Sequence, residues 1–135
     1  SLSFKISLTI INERALALKE ELKSKNIKHI FSTKFKRTTG TAKPLDEYLD
    51  KVQTQFYSPS KDSATAFIQK LKSIKKGDVL VVGHSNTIDD IANMLTGSTV
   101  VPGDLKDTDY DNLYEIKRKG SKYIFKGRTY GVPTE

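Results

Sequence analysis

Cysteine is absent from the 135-residue sequence, which excludes disulfide bonds, thiolate catalysis and a metal site with cysteine ligands. No apolar run approaches the length needed to cross a bilayer, and the start of the sequence lacks the pattern of a signal peptide, so we expect no membrane partner. We also expect no metal ion and no cofactor. The absence of cysteine does not decide the cellular compartment.

Acidic side chains are fewer than basic ones, with 16 Asp and Glu against 23 Lys and Arg, which gives a formal net charge of +7. Such a balance suggests nucleic acid as the first partner and phosphorylated or other anionic substrates as the second. The lysines are scattered over two predicted helices and a predicted hairpin, which is more typical of a solvated surface than of a binding stripe. We therefore expect no nucleic-acid partner.

Strand-like and helix-like patterns alternate along the chain. Alternating apolar residues from Leu2 to Ile10 predict a strand with one polar face, and the uninterrupted apolar run from Val79 to Val82 predicts a strand buried on both faces. Further strands are predicted at 27–31 and 52–57, a helix follows each of these four strands, and a hairpin is predicted at 113–117 and 123–126. This order predicts one three-layer α/β/α domain over residues 1–135, with a mainly parallel sheet and an antiparallel terminal hairpin.

Two local features refine this prediction. Pro44 is expected in the first turn of the second helix, where its missing N–H costs least. The segment 97–111 is rich in Gly, Pro, Asp and Thr and is expected to form a loop, which makes it a candidate lid or binding loop.

His84 lies at a position in the chain where α/β proteins often bind ligands. It follows the buried run and Gly83, whose lack of a side chain suits a tight turn, and it precedes apolar residues at helical spacing. Open α/β sheets bind ligands at such strand ends, and a helix N-terminus favours anions. The alternative is a histidine that only packs against or caps the turn. Three neighbouring side chains could cap the helix: Ser85, Asn86 and Thr87.

The segment from Phe31 to Pro44, FSTKFKRTTGTAKP, resembles the S-x-x-x-R-x-x-x-T-A-x-P region of the histidine phosphatase superfamily, whose members have the phosphoglycerate mutase-like fold. Residues 79–87 resemble the second histidine motif of that family. The segment 12–18 is similar to its first helix, and 110–114 with Tyr130-Gly131 is similar to the tail of small bacterial members. The resemblance covers most of the chain from about Leu8 onward.

The resemblance implies hydrolysis or transfer of a phosphoryl group through a phosphohistidine. By the motif match, Arg37 would clamp the phosphate and His84 would be the second histidine, so these two residues are the predicted catalytic pair. Guanidinium and imidazolium groups both suit phosphate oxygens. The remaining predicted phosphate ligands are supporting donors, namely Ser32, Thr38 and the helix start at Ser85 and Asn86. The alternative for Arg37 is a merely exposed side chain in a lysine-rich turn.

The family's nucleophile is missing from this sequence. The resemblance implies an Arg-His-Gly motif after the first strand, but the only histidines are His29 and His84, and no Arg-His pair occurs. We expect His29 at the end of its strand remote from the site. Two explanations stay open: the strand 2–10 has lost the motif, or the chain begins after the catalytic strand. A catalytic acid is not assigned; the candidate substitutes are Asp89, Asp90, Asp104, Asp107 and Asp109.

Three functions are compatible with these observations. The first is a domain that binds phosphate or a phosphorylated small molecule through Arg37 and His84, with catalysis lost or weakened. The second is an active phosphomonoesterase represented by a shortened chain. The third is an interaction or scaffold domain without a small-molecule ligand. An altered first strand would leave an unpaired sheet edge, which a second copy of the chain could cover in a homodimer.

Overall fold

The computed structural model describes residues 4–10, 15–50, 52–100, 112–119 and 122–129. These residues form six strands and four helices. The strands are β1 (Phe4–Ile10), β2 (Ile27–Ser32), β3 (Thr54–Phe56), β4 (Asp78–Gly83), β5 (Asn112–Lys119) and β6 (Lys122–Thr129). The helices are α1 (Ala15–Leu22), α2 (Lys36–Leu49), α3 (Lys61–Ser73) and α4 (Ser85–Thr96).

The strands form one sheet in the order β3-β2-β4-β1-β5-β6. The four strands β3, β2, β4 and β1 run parallel to one another, and β5 and β6 form an antiparallel hairpin that pairs with β1. The predicted fold, a mainly parallel sheet with an antiparallel terminal hairpin, is therefore confirmed. The hairpin is longer than the sequence predicted, because its strands extend beyond 113–117 and 123–126.

Alternate residues of β4 point into two different layers, which accounts for its uninterrupted apolar sequence. Val79 and Val81 belong to a core with residues from α3 and α4, whereas Leu80 and Val82 belong to a second core with residues from α1 and α2. A parallel strand covered on both faces needs apolar side chains on both. The three-layer α/β/α arrangement follows from these two cores.

The first strand departs from its sequence pattern. The alternation in β1 predicted one polar face, but Ser7 and Thr9 are as buried as their apolar neighbours Ile6 and Leu8. The reason is that helices cover both faces of the sheet: Ile6 and Leu8 belong to the core with α3 and α4, so Ser7 and Thr9 face the opposite layer, that of α1 and α2. Residues 11–14, which follow β1, lie outside the described part of the chain.

The prediction for Pro44 is wrong, and the predicted loop after α4 is described only in part. Pro44 lies well inside α2 rather than in its first turn, because the helix already begins at Lys36. The Gly40 carbonyl, four residues earlier, therefore lacks the usual helical N–H donor. Gly97 ends α4 with a left-handed φ of 75°, but the predicted loop continues through 101–111, which lie outside the described residues. No helix among the described residues is long and apolar enough to span a membrane.

Candidate phosphate site

The sheet topology brings two strand ends and two helix starts together. β2 and β4 are parallel neighbours, with Ser32 paired to Val82, so both strands end at the same edge of the sheet. The helices α2 and α4 begin shortly after these ends, at Lys36 and Ser85. The sequence-predicted pair, Arg37 and His84, is therefore carried by the first turn of α2 and by the residue before α4.

His84 is held at the start of α4 by a reciprocal cap. Its backbone N–H donates to Oγ1 of Thr87 at 2.9 Å, and the Thr87 hydroxyl donates to the His84 carbonyl at 3.0 Å. Of the three capping candidates in the sequence, Thr87 therefore makes this contact. The His84 side chain is half-buried, so it is ordered by its surroundings and still reaches the surface.

A chain of hydroxyl groups connects His84 to the start of α2. Nε2 of His84 lies 3.1 Å from Oγ1 of Thr33, which lies 2.7 Å from Oγ1 of Thr38. Thr38 donates its hydroxyl proton to the Phe35 carbonyl at 3.0 Å. Since each hydroxyl has a single proton, Thr33 donates a hydrogen bond to Thr38 and accepts one from Nε2 of His84. This pattern places an N–H on Nε2, the atom that faces the strand ends.

The other predicted phosphate ligands lie at the same edge of the sheet. Ser32 and Thr38 are fully buried, and the Ser32 hydroxyl donates to the Thr33 carbonyl at 2.8 Å. These two hydroxyls therefore have protein partners inside the fold. The backbones of Arg37, Ser85 and Asn86 lie in the first turns of α2 and α4, and their side chains are outside the described part of the structure.

Thr33 is the site residue that the sequence reasoning missed. The resemblance was attached to Ser32, but in the S-x-x-x-R spacing the first residue stands four positions before the arginine, which from Arg37 is position 33. A threonine at that position supplies the same hydroxyl group as serine. Counting back from Arg37 would therefore have identified the residue that contacts His84.

Tyr57 was not predicted either, and its side chain packs behind the turn between β4 and α4 that contains His84. Its hydroxyl donates to the Val82 carbonyl at 2.9 Å, and its ring stacks on Phe67 with centroids 4.3 Å apart and nearly parallel planes. Burial raises the pKa of Tyr57 above its usual range, an effect that a hydrogen bond with Thr87 only partly opposes. The phenol is therefore neutral at physiological pH. Gly83 packs directly against this hydroxyl.

Two exposed aromatic rings flank the loop between β2 and α2. Phe35 is 58% exposed and meets the His84 ring edge to face, with centroids 5.2 Å apart. Phe56 is 51% exposed and pairs with Ser32 at the end of β2. Nζ of Lys34, in the loop between them, lies 5.8 Å from the centroid of the Phe56 ring. Phe56 also lines an open groove of about 910 Å³ between α2 and β3.

The remaining titratable candidates lie elsewhere or are committed to other contacts. His29 pairs with Val79 near the start of β4, and its Nε2 lies 3.2 Å from the Lys76 carbonyl, so the expectation that it is remote from the site is confirmed. Asp89 is buried in α4, where its carboxylate accepts the backbone N–H of Asp90. Within the described ranges, no group of three His, Asp or Glu residues could hold a metal ion. The other three candidate acids, at 104, 107 and 109, are outside the described ranges.

Comparison with known proteins gives a match of fold alone. No protein-family model matches the sequence, and no curated protein matches it significantly. Among solved structures, a phosphoglycerate mutase from Plasmodium falciparum has a TM-score of 0.72 at 12% identity, covering 100% of this chain and 97% of that one. A candidate alpha-ribazole-5'-P phosphatase from Escherichia coli has a TM-score of 0.70 at 12% identity, with coverages of 96% and 97%.

A third structure is the protein histidine phosphatase SixA in complex with tungstate, with a TM-score of 0.65 at 11% identity and coverages of 93% and 96%. All these neighbours are histidine phosphatase superfamily proteins. This chain therefore has the phosphoglycerate mutase-like fold of that superfamily, as the sequence resemblance implied. It matches these domains over nearly their whole length.

Proposed function

We propose that this domain binds the phosphate group of a phosphorylated small molecule at the shared end of β2 and β4, through Arg37 and His84. The observation that carries the proposal is the half-buried imidazole of His84, held by Thr87 and Thr33 at the start of α4. On binding, the Nε2 N–H that Thr33 accepts in this structure would be donated to a phosphate oxygen instead, and a protonated imidazole adds a charge. Arg37, on the neighbouring helix start, would supply paired guanidinium donors.

The fold supports this proposal by analogy. Tungstate is a tetrahedral oxyanion like phosphate, and the SixA structure was determined with it. The two helix N-termini at this edge add partial positive charge. A domain with this fold and these residues therefore has an electrostatic reason to bind a tetrahedral oxyanion here.

We further propose that catalysis through a phosphohistidine is lost or severely weakened. β1 ends at Ile10, which pairs with Gly83, the residue before His84. The residues that follow β1 are Ile11, Asn12, Glu13 and Arg14, and none of them is a histidine, so a phosphohistidine cannot form there. The proposed site therefore retains groups that bind phosphate and lacks the group that would attack it.

Calorimetric titration with inorganic phosphate and with tungstate tests the binding proposal. We expect Arg37→Ala and His84→Ala each to weaken binding about tenfold or more, because each removes a charged hydrogen-bond donor. The matched control is Lys43→Ala, which removes one positive charge from an exposed position on α2, where Lys43 pairs only loosely with Glu47 at 3.8 Å. No binding by the native protein, or equal effects of all three substitutions, would refute the proposal.

Turnover of an aryl phosphate tests the catalytic part separately. The proposal predicts no hydrolysis above the level of the His84→Ala variant. Hydrolysis that requires both His84 and Arg37 would show instead that the domain is an active phosphomonoesterase.

A further inference from the structure

Neither helix capping nor core packing accounts for the ring of Phe35. It occupies the N-cap position of α2, where Ser, Thr, Asp or Asn would stabilise the helix by about 1 kcal/mol, and it makes no side-chain cap. It does not fill the core either, because it is 58% exposed. Phenylalanine at this position therefore gives up a cap and leaves apolar surface in water.

Two of the three exposed aromatic side chains in the described part of the chain lie beside the candidate phosphate site, and the third is Tyr48. Five large apolar side chains are exposed in the described part of the chain, and the two phenylalanines among them are Phe35 and Phe56. Both flank the loop after β2, and Phe35 is in edge-to-face contact with His84. An apolar surface beside an anion-binding group fits a ligand that has a phosphate at one end and a flat apolar group at the other.

We propose that this site selects phosphate esters of aromatic groups, and that Phe35 is the surface against which the aromatic ring of the ligand packs. This inference rests on the proposed phosphate-binding function and adds the class of ligand to it. With the phosphate at His84, a directly attached ring lies next to Phe35, whose centroid is 5.2 Å from that of the imidazole. Offset or edge-to-face packing of two aromatic rings is favourable beyond the area that it buries.

The space around this contact allows a substituted ring. The open groove between α2 and β3 begins near the same loop and is lined there by Lys36, Thr39, Gly40 and Phe56. Lys34 and Lys36 are both exposed, so further negative charge on the ligand would meet positive charge. A larger planar group could therefore extend from Phe35 towards Phe56.

Two phosphonates, which cannot be hydrolysed at the P–C bond, allow the contribution of the aromatic ring to binding to be measured apart from that of the phosphate group. We expect phenylphosphonate to bind the native protein about threefold to tenfold more tightly than methylphosphonate, the range expected for one aromatic contact. Phe35→Ala should reduce this preference to less than about twofold; because the preference is the ratio of two affinities in the same variant, a general effect on His84 cancels. Phe35→Leu, which keeps an apolar side chain without an aromatic face, should also lose most of the preference.

Tyr48→Ala is the matched control. Tyr48 is 53% exposed and lies on the same helix, 12 positions after Lys36, or roughly 18 Å along the axis. It should keep the full preference for phenylphosphonate. Thermal unfolding of each variant shows that it is folded.

The possible results distinguish failure of the proposed role of Phe35 from failure of the proposed phosphate site. Equal binding of the two phosphonates by the native protein, or an unchanged preference in Phe35→Ala or Phe35→Leu, would overturn the role of Phe35 and leave phosphate binding standing. Failure of the native protein to bind either phosphonate or inorganic phosphate would overturn the phosphate site itself.

Discussion

Nε2 of His84 lies 3.1 Å from the hydroxyl of Thr33, a contact that joins the ends of two neighbouring parallel strands. The two residues are 51 positions apart in sequence, so only the folded sheet brings them together. Thr33 fixes the imidazole from one side, and the cap with Thr87 fixes its backbone. The side chain proposed to bind phosphate is thus oriented before any ligand arrives.

Thr33→Val tests this orientation. Valine keeps the volume of threonine but has no hydroxyl, so both His84 and Thr38 lose a buried partner. We expect the free energy of unfolding to fall by about 1–2 kcal/mol and phosphate binding to weaken several-fold. Urea unfolding and calorimetric titration measure these two quantities. Thr33→Ser keeps the hydroxyl and should have native stability and native phosphate affinity. Thr39→Val, at a more exposed hydroxyl of α2, should change neither quantity. Native stability and affinity in Thr33→Val would contradict the role of the Thr33 hydroxyl.

Gly83→Ala tests the packing behind the histidine turn. A Cβ at this position would come within 2.7 Å of Thr87 Oγ1 and 3.0 Å of Ile88 Cδ1, and it would also collide with the Tyr57 hydroxyl. We expect a loss of about 1–3 kcal/mol in the free energy of unfolding, typical of overpacking. Gly40→Ala is the control, because its Cβ would meet nothing within 4 Å, and it should stabilise the protein by up to about 1 kcal/mol. Similar effects of the two substitutions in urea unfolding would refute this account.

Tyr57 should make the protein sensitive to alkaline pH. Burial raises the pKa of Tyr57 above its ordinary value of 10.0, so above that pH the unfolded chain releases a proton that the folded chain retains. The contribution of Tyr57 to stability is therefore complete below pH 10 and declines as the pH rises, by about 1.4 kcal/mol for each unit above that value.

Tyr57→Phe isolates this effect, since the remaining tyrosines and lysines titrate in both proteins. The substitution removes the hydrogen bond to the Val82 carbonyl and should cost about 1 kcal/mol at pH 8. At pH 11 the two proteins should unfold at nearly the same urea concentration, because only the native protein has lost stability through this phenol. A constant difference between pH 8 and pH 11 would show that the buried hydroxyl does not control the alkaline limit.

Higher salt concentration and higher pH should each weaken phosphate binding. Two cationic side chains are proposed to hold the anion, so raising the ionic strength should screen the attraction and lower the affinity. Binding should also weaken as the pH rises and the His84 imidazole loses its extra proton. Titrations at low and high salt, each at several pH values, measure both effects. In His84→Ala the pH dependence should become weaker while the salt dependence persists; an unchanged pH profile would assign it to another group, such as the phosphate itself.

The sequence was sufficient for the fold class but not for the contacts inside the site. Uninterrupted apolar residues identified β4 as a doubly covered strand, and the alternation of strands and helices predicted the parallel sheet. The pattern of β1 was misleading, because Ser7 and Thr9 are small enough to be buried inside the sheet. Pro44 was misplaced because the helix starts earlier than its apolar residues indicate.

Some residues of the site could be predicted from the sequence and others could not. His84 was identified from its local position between a buried strand and a helix, which periodicity reveals. Thr33 and Tyr57 depend on contacts across the sheet, at separations of 51 and 25 residues from the groups they bond, which no local pattern contains. Phe35 was not singled out, because sequence alone does not show that a phenylalanine at a helix start is exposed beside a histidine.

β6 leaves one long sheet edge without a partner among the described strands, and its Lys122 and Lys126 side chains are both exposed. Two copies that joined along this edge would bring four ammonium groups into one seam, and their mutual repulsion opposes the extension of the sheet from one molecule to the next. Counterions would relieve that repulsion. A concentrated solution of this domain should therefore stay dispersed at low salt and begin to self-associate when a polyanion is added.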